Sequence, residues 1–321
     1  MKRVSLIDLG SNSVRFVISE ITESGSYRLI YQQKESIRLS EGMWTHQMLT
    51  KPAMERAIKT LKALSHMAKA MGVTEIQGIA TAAVRLASNG NSFIRRVYAE
   101  TGIPLRPISG EEEAYLGFLG VVNTIGLDDF IVFDLGGASI EISLIENRQL
   151  KKSVSLPMGA LVMTGQFKSG HEFTSAEYEA MVRYIQEVLH RESWLKHTKL
   201  PLIGIGGTAR NIAKMDQREK NYPIPKLHNY KEKSGYGGFV SSGERNTVGG
   251  TEKDFWVICG TGRYHCSRYG HYYGIDGVYK GIIHDCQRLW LAGRAIFSVL
   301  WVQLFSREVW ATMSSKKWRC R

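Results

Sequence analysis

VSLIDLGSNSVRFVISEI, residues 4–21, returns in altered form at 130–145 as FIVFDLGGASIEISLI. In each copy an apolar run of β type ends in Asp-Leu-Gly. A turn of small residues follows, and then a second run of β type. A run made almost wholly of Val, Ile, Leu and Phe is expected to be buried, and a carboxylate at its end then needs a reason. Asp8 and Asp134 stand 126 positions apart, which points to two like domains facing one site.

The residue types say what each copy can do. Gly10, Ser11, Asn12 and Ser13 form a tight turn whose backbone N–H groups can approach an anion, with small hydroxyl and amide side chains adding donors. A nest of N–H groups binds phosphate without a net charge of its own. Asp8 repels phosphate directly, so its place there makes sense with a divalent cation or its water between the two. Mg²⁺ is held this way, by one or two carboxylates plus phosphate oxygens. The second copy repeats the logic with Asp134, Gly136, Gly137 and Ser139, and adds Glu141 at the turn end of its second strand. The bland alternative is an ordinary β-hairpin with Asp-Leu-Gly as turn chemistry. Two matched copies weigh against it.

A third motif is LPLIGIGGTARNIAK, 200–214. An apolar strand runs into Gly204, Gly206 and Gly207, and Thr208 is placed to cap a helix starting near Ala209. A strand, a glycine turn and a helix N-terminus make an anion site.

Taken together, IDLGSNSVRF, TAAVR, SGEEEAYLG, FDLGGASIE and GIGGTARNIA, in this order and spacing, resemble the exopolyphosphatase / guanosine pentaphosphate phosphohydrolase (Ppx/GppA) family of the sugar kinase, actin and Hsp70 superfamily. The resemblance covers about residues 1–230. It implies an α/β chain of two ribonuclease-H-like (actin-like ATPase) domains facing an interdomain cleft. It also implies hydrolysis of terminal phosphoanhydride bonds of polyphosphate or guanosine pentaphosphate. The second turn departs from the family pattern, with Ala138 and Ile140 where Gly and Thr are usual.

In RPISGEEEAYLGFLG, 106–120, Ser109 and Glu112 have capping-box spacing, and Glu111, Glu112 and Glu113 fall in the first helical turn, where the helix dipole favours anions. The resemblance implies that Glu112 is the base that activates the attacking water, leaving Glu111 and Glu113 as surface or capping residues. Arg85, in GIATAAVRLASNG just past a strand end, offers bidentate recognition of phosphate, against the alternative of a solvated helix arginine. Arg15 either reaches the polyanion or faces solvent. The implied site is therefore Glu112 and Arg85 for catalysis; Gly10, Ser11, Asn12, Ser13, Gly136, Gly137, Ser139, Gly206, Gly207 and Thr208 for phosphate; and Asp8, Asp134 and Glu141 for Mg²⁺ or another divalent cation.

A chain of 321 residues fits two domains. The first is expected over 1–122, with strands at 4–9, 14–21, 28–34 and 76–80. Its long helix is 52–71, with Pro52 at the start, Gly72 after the end, and Met54, Met67 and Met71 as core packing. The second domain is expected over 123–321, with helix 174–191 opened by a Thr174–Glu177 capping box. The formal charge of +12 suits a polyanionic ligand. Nucleic acid competes for such charge, but the basic residues are scattered and no recognition motif is present. No membrane span, no signal peptide and no zinc-ligand spacing is seen, so a cytoplasmic protein is expected, a homodimer acting on polyphosphate or guanosine pentaphosphate. Two rivals remain: an ATP-dependent kinase of the same superfamily, and a non-catalytic phosphate- or nucleotide-binding regulator.

Residues 231–321 break the pattern. They hold all four Cys, five of the seven Trp and none of the seven Pro, with 14 Lys and Arg against 7 Asp and Glu. Stretches 234–250 and 260–281 carry many glycines and no sustained helical period, while 287–310 is apolar nearly all round. The composition change reads as a change of reading frame near residue 230, which translation of the gene in its other two frames tests. The alternative is a genuine basic, aromatic tail that binds a partner.

Overall fold

The computed structural model describes residues 1–43, 46–170, 173–195, 200–219, 230–233 and 254–257. The expectations placed on 234–250, 260–281 and 287–310 lie outside the described residues.

Strands β1 (Lys2–Leu9), β2 (Ser13–Ile21) and β3 (Tyr27–Ser36) form an antiparallel meander. Helix α1 (Lys51–Ala70) then leads to β4 (Glu75–Ala80), which pairs parallel with β1, and α2 (Ala82–Leu86) and α3 (Gly90–Thr101) lead to β5 (Leu105–Pro107). The sheet order is β3-β2-β1-β4-β5. Helix α4 (Gly110–Val122) follows. A second meander comes next, of β6 (Phe130–Leu135), β7 (Ile140–Glu146) and β8 (Gln149–Leu156). After α5 (Ala160–Phe167) and α6 (Ser175–His190) comes β9 (Leu202–Ile205), parallel to β6. Helix α7 (Gly206–Glu219), β10 (Tyr230–Lys233) and β11 (Asp254–Val257) complete a sheet of order β10-β11-β9-β6-β7-β8. The two sheets repeat one plan: a three-strand meander whose first strand gains a parallel neighbour by a helical crossover. The sequence repeat is thus a repeat of topology.

Side-chain alternation explains the first sheet. Ile7 and Leu9 share a buried face with Val14, Phe16 and Ile18, and that face packs on Ala57, Ile58, Leu61, Leu64 and Ala68 of α1 and on Phe93 and Val97 of α3. Asp8 is thereby directed to the opposite face. Thr50 caps α1 through its hydroxyl, and Gly72 turns the chain at φ 70°. Met54, Met67 and Met71 pack against this core. In the second sheet β6 is buried along nearly its whole length, as its Phe, Ile and Val composition requires. Phe130 and Val132 pack with Phe118, Val121 and Val122 of α4, Ile145 of β7 and Ile203 of β9.

Contacts divide the described residues into two compact units. One comprises Met1–Glu113 with Gly136–Ser139 and Ser155–Val162, and the other the remainder. The sequence puts a boundary near residue 122, at the end of α4, whereas the units part at Glu113 in its first turn. No helix among the described residues is long and apolar enough to cross a membrane.

Candidate phosphate-binding and catalytic site

Both repeated turns close with the same bond. Gly10 N donates to Ser13 O at 3.0 Å, and Gly136 N donates to Ser139 O at 3.0 Å. Each turn joins two antiparallel strands in register, Leu9 opposite Val14 and Leu135 opposite Ile140. The backbone is therefore a β-hairpin in both copies, and the hairpin and phosphate-turn readings describe one object. What sets these hairpins apart is where their carbonyls go. Ser11 O accepts from Ser40 N, and Asn12 O accepts from Ile37 N and Arg38 N. In the second turn Gly136 O accepts from Ala160 N, Gly137 O from Leu161 N and Val162 N, and Ala138 O from Gly159 N. The carbonyl and the next N–H of a trans peptide point opposite ways. The N–H groups of Asn12 and Ser13 therefore face away from segment 37–40. Those of Gly137, Ala138 and Ser139 face away from the start of α5. Orphan donors of the helix thus serve to orient the turn.

Glycine is required here by close approach, because none of Gly10, Gly136 and Gly137 has positive φ. A Cβ on Gly137 would lie 2.7 Å from Leu161 Cδ1 and 3.4 Å from Ser11 Cβ. A Cβ on Gly159 would lie 2.4–2.5 Å from the backbone of Gly137 and Ala138. Ala138 is likewise outside the positive-φ set, so a side chain there strains nothing, and it is buried. Ile140 is fully buried, so its side chain serves packing. Ser11 and Ser139 are buried too. The turns present backbone donors first.

In the second sheet Asp134 lies opposite Glu141 across β6 and β7, and opposite Ile205 across β6 and β9. Glu141 is 4% exposed. Gly206 follows Ile205 at φ 85°, and a Cβ on it would fall 2.1 Å from Asp134 Oδ1. Helix α7 starts at Gly206, three residues before the expected start at Ala209, so Thr208 sits in the first turn and is not the cap. The left-handed glycine brings the chain hard against the carboxylate and turns it into the helix at once.

Asp8 stands in register with Arg15 on β2, which stands in register with Lys34 on β3. Burial pushes the Asp8 carboxyl above its ordinary range, and Arg15 and Lys34 pull it back down. Arg15 itself is exposed. Among the described residues no group of three or more His, Cys, Asp or Glu side chains is arranged to hold a metal ion. Asp134 and Glu141 stand side by side as a pair, and Asp8 belongs to the first unit.

The acidic helix start differs from its expected roles at two positions. Ser109 Oγ accepts from Glu112 N at 3.1 Å, but the Glu112 carboxylate does not reach back to complete a capping box. It takes both ends of the Arg106 guanidinium, at 2.8 and 2.5 Å, and that pairing holds its pKa below the usual range. Glu113 is no surface residue: its carboxylate lies 3.0 Å from Arg85 Nη1, with both side chains 21% exposed. Arg85 Nη1 also donates to Ile108 O at 2.8 Å, and Nη2 approaches Ser155 Oγ at 3.5 Å. Arg85 is thus a clamped, half-buried arginine. Arg106, Ser155 and Gly159 escaped sequence reading because each acts across a turn or from a distant segment. The Thr174–Glu177 capping box forms in full.

A family model described as the Ppx/GppA phosphatase family matches residues 17–244. The chain belongs to the Ppx/GppA phosphatase family. The match begins inside β2, after the first turn, and runs past Tyr230, where the motif resemblance ends. An exopolyphosphatase from Cytophaga hutchinsonii superposes with a TM-score of 0.64 at 26% identity, covering 72% of this chain and 76% of that one. A family member from Aquifex aeolicus gives 0.56 at 26%, covering 72% and 75%. A bifunctional 3-dehydroquinate synthase/phosphatase of Fusobacterium nucleatum is 30% identical over 234 residues, 69% of this chain. This chain spans only 35% of that relative's length.

Proposed function

We propose that the chain is a cytoplasmic hydrolase that releases orthophosphate from the end of inorganic polyphosphate, of guanosine pentaphosphate, or of both. The observation that carries this reading is the pair of like-closed turns. Their carbonyls are tied down behind them and their N–H groups face away, each next to an aspartate at the end of a buried strand. The likeness to the solved exopolyphosphatase from Cytophaga hutchinsonii supports the substrate class.

The Gly10–Ser13 and Gly136–Ser139 turns bind phosphate oxygens through N–H groups, with Arg85 adding charge and Gly206, Gly207 and Thr208 further donors. Asp134 and Glu141 supply hard oxygen donors that suit Mg²⁺, and the repeat assigns Asp8 the same role. A bound Mg²⁺ would offset charge on the phosphate oxygens. Glu112 orients a water at the terminal phosphorus and takes its proton. As the water oxygen bonds to phosphorus, the bond to the bridging oxygen breaks. Orthophosphate leaves, and the shortened chain carries the negative charge. Positioning and charge neutralisation supply most of the rate.

The test is phosphate release from each substrate with Mg²⁺ and no acceptor, which also separates hydrolysis from a kinase reaction. Glu112→Gln is expected to lower kcat by about 100-fold or more while KM changes little. Undiminished turnover would remove Glu112 from the mechanism. Tight binding of both substrates without release would favour a regulatory protein.

A further inference from the structure

The two repeated hairpins carry opposite charges at one matching register position. Asp134 faces Glu141 across β6 and β7, whereas Asp8 faces Arg15 across β1 and β2. Glu141 is buried and Arg15 is exposed. Residues directly opposite one another in a sheet share a face. Asp8 and Arg15 therefore lie on the face turned away from the core of α1 and α3. Lys34 of β3, also exposed, continues the same row beside Arg15. Neighbouring strands run about 4.8 Å apart, so the two cations stand side by side. Ser13 and Ser36 form the next row of this face toward the turn. In the row beyond, Leu6, Val17 and Gln32 carry no charge.

Arg15 is also not engaged as the arginines around it are. Asp8 is its direct cross-strand neighbour, yet the two form no ion pair, and the Arg15 side chain donates no hydrogen bond to any described residue. Arg3, Arg28, Arg56, Arg96 and Arg106 of the same unit are each held by a glutamate.

We propose that Arg15, with Lys34 beside it, is the subsite for the phosphates of a polyphosphate chain inward of the one being cleaved, and that it makes affinity grow with chain length. This rests on the hydrolase reading above. The Gly10–Ser13 turn takes the terminal phosphate on its N–H groups. The cations lie about 6.8 Å further along the strands from the Ser13 row, where the next part of the chain passes. Polyphosphate carries charge on every phosphate, so a longer chain brings more of it to the row. A guanidinium grips phosphate oxygens in bidentate fashion, and an ammonium adds a compact point charge. The inverted charge divides the labour of the repeat. Two carboxylates side by side in the second hairpin suit a cation. A guanidinium beside the carboxylate in the first suits the anion.

The experiment compares KM for phosphate release from long-chain polyphosphate and from tripolyphosphate, using the full chain with Mg²⁺. Arg15→Ala is expected to raise KM about 10-fold for the long chain and by about 2-fold or less for tripolyphosphate, which brings few phosphates past the turn. Lys34→Ala should act in the same sense at about 3-fold. Arg15→Lys, which keeps the charge but not the fork, should recover part of the loss. Long-chain KM should also rise with salt less steeply in Arg15→Ala than in wild type. A thermal melt of each variant checks that it folds. An equal rise in KM on both substrates would overturn the proposal, because it would place Arg15 at the cleaved phosphate or behind Asp8. No rise on either would overturn it too, leaving Arg15 a solvated charge. If wild type releases phosphate from neither substrate, the hydrolase reading fails, and calorimetric titration with long-chain polyphosphate still decides the subsite. Affinity about 10-fold lower in Arg15→Ala supports it, and equal affinity overturns it.

Discussion

Gly206→Ala offers a test with two separable readouts. Gly206 sits at φ 85°, where an L-residue such as Ala costs about 1–2 kcal/mol. Its new Cβ would also fall 2.1 Å from Asp134 Oδ1, against a closest real approach of 3.0 Å, so the carboxylate must withdraw by the difference, 0.9 Å. The backbone of Asp134 cannot follow, because β6 is laddered to β7 on one side and β9 on the other. The side chain must rotate off its rotamer, adding roughly 0.5–1.5 kcal/mol. The sum is about 2–3 kcal/mol, which in a protein of this size lowers Tm by roughly 3–5 °C. A carboxylate displaced by this much from its working position should lower kcat about 100-fold. The assay is phosphate release at a temperature well below the lowered Tm, beside a thermal melt. In an Asp134→Ala background the clash disappears, so Gly206→Ala should then cost only the backbone part. A Gly206→Ala protein with wild-type kcat would refute a role for the Asp134 carboxylate. An unchanged Tm would refute the strain argument.

Other expectations follow from the charged groups. Arg106→Gln should let the Glu112 pKa rise toward its ordinary value, moving the acid limb of the kcat/KM profile to higher pH; an acid limb that stays put would detach Arg106 from the base. Glu177, held at about 2 chiefly by the Ser169 hydroxyl and by the Thr174 and Ser169 backbone, contributes stability that is present above its unfolded value near 4.5 and is lost as pH falls toward about 2. Glu177→Gln should therefore lower Tm at neutral pH and converge with wild type in acid, which melts across that range would check. Asp8 lies on the other side of the sign rule. Its folded pKa is raised by burial, so its contribution is fully present below the unfolded value of 3.8 and is lost as pH rises through the folded one. In metal-free protein at about pH 8, Asp8→Asn should raise Tm, at about 1.5 °C per kcal/mol relieved, while turnover collapses. A lower Tm would show that the ionised carboxyl is favourably held.

Much of the architecture could be read from residue order. The long helix with Thr50 before it and Gly72 after it, the Thr174–Glu177 box, and the strands at both Asp-Leu-Gly motifs all emerge where local pattern dictates. These signals are short-range: an apolar period, a capping hydroxyl and a left-handed glycine act within one or two turns. Local pattern starts helix α7 three residues late, because Thr208 carries the cap signal, whereas the contact of Gly206 with Asp134 is long-range. The pairings of the EEE run were equally hidden. Which glutamate meets Arg85 and which meets Arg106 depends on how the β5–α4 loop turns, and spacing alone does not encode that.

By itself the sequence determined the repeat, the α/β class and the residue types of two phosphate turns, since each is written in contiguous residues. Only the tertiary structure decided which way those turns face. Their carbonyls are tied to segment 37–40 and to the first turn of α5, and a peptide's N–H can be aimed only when something distant in sequence holds its carbonyl.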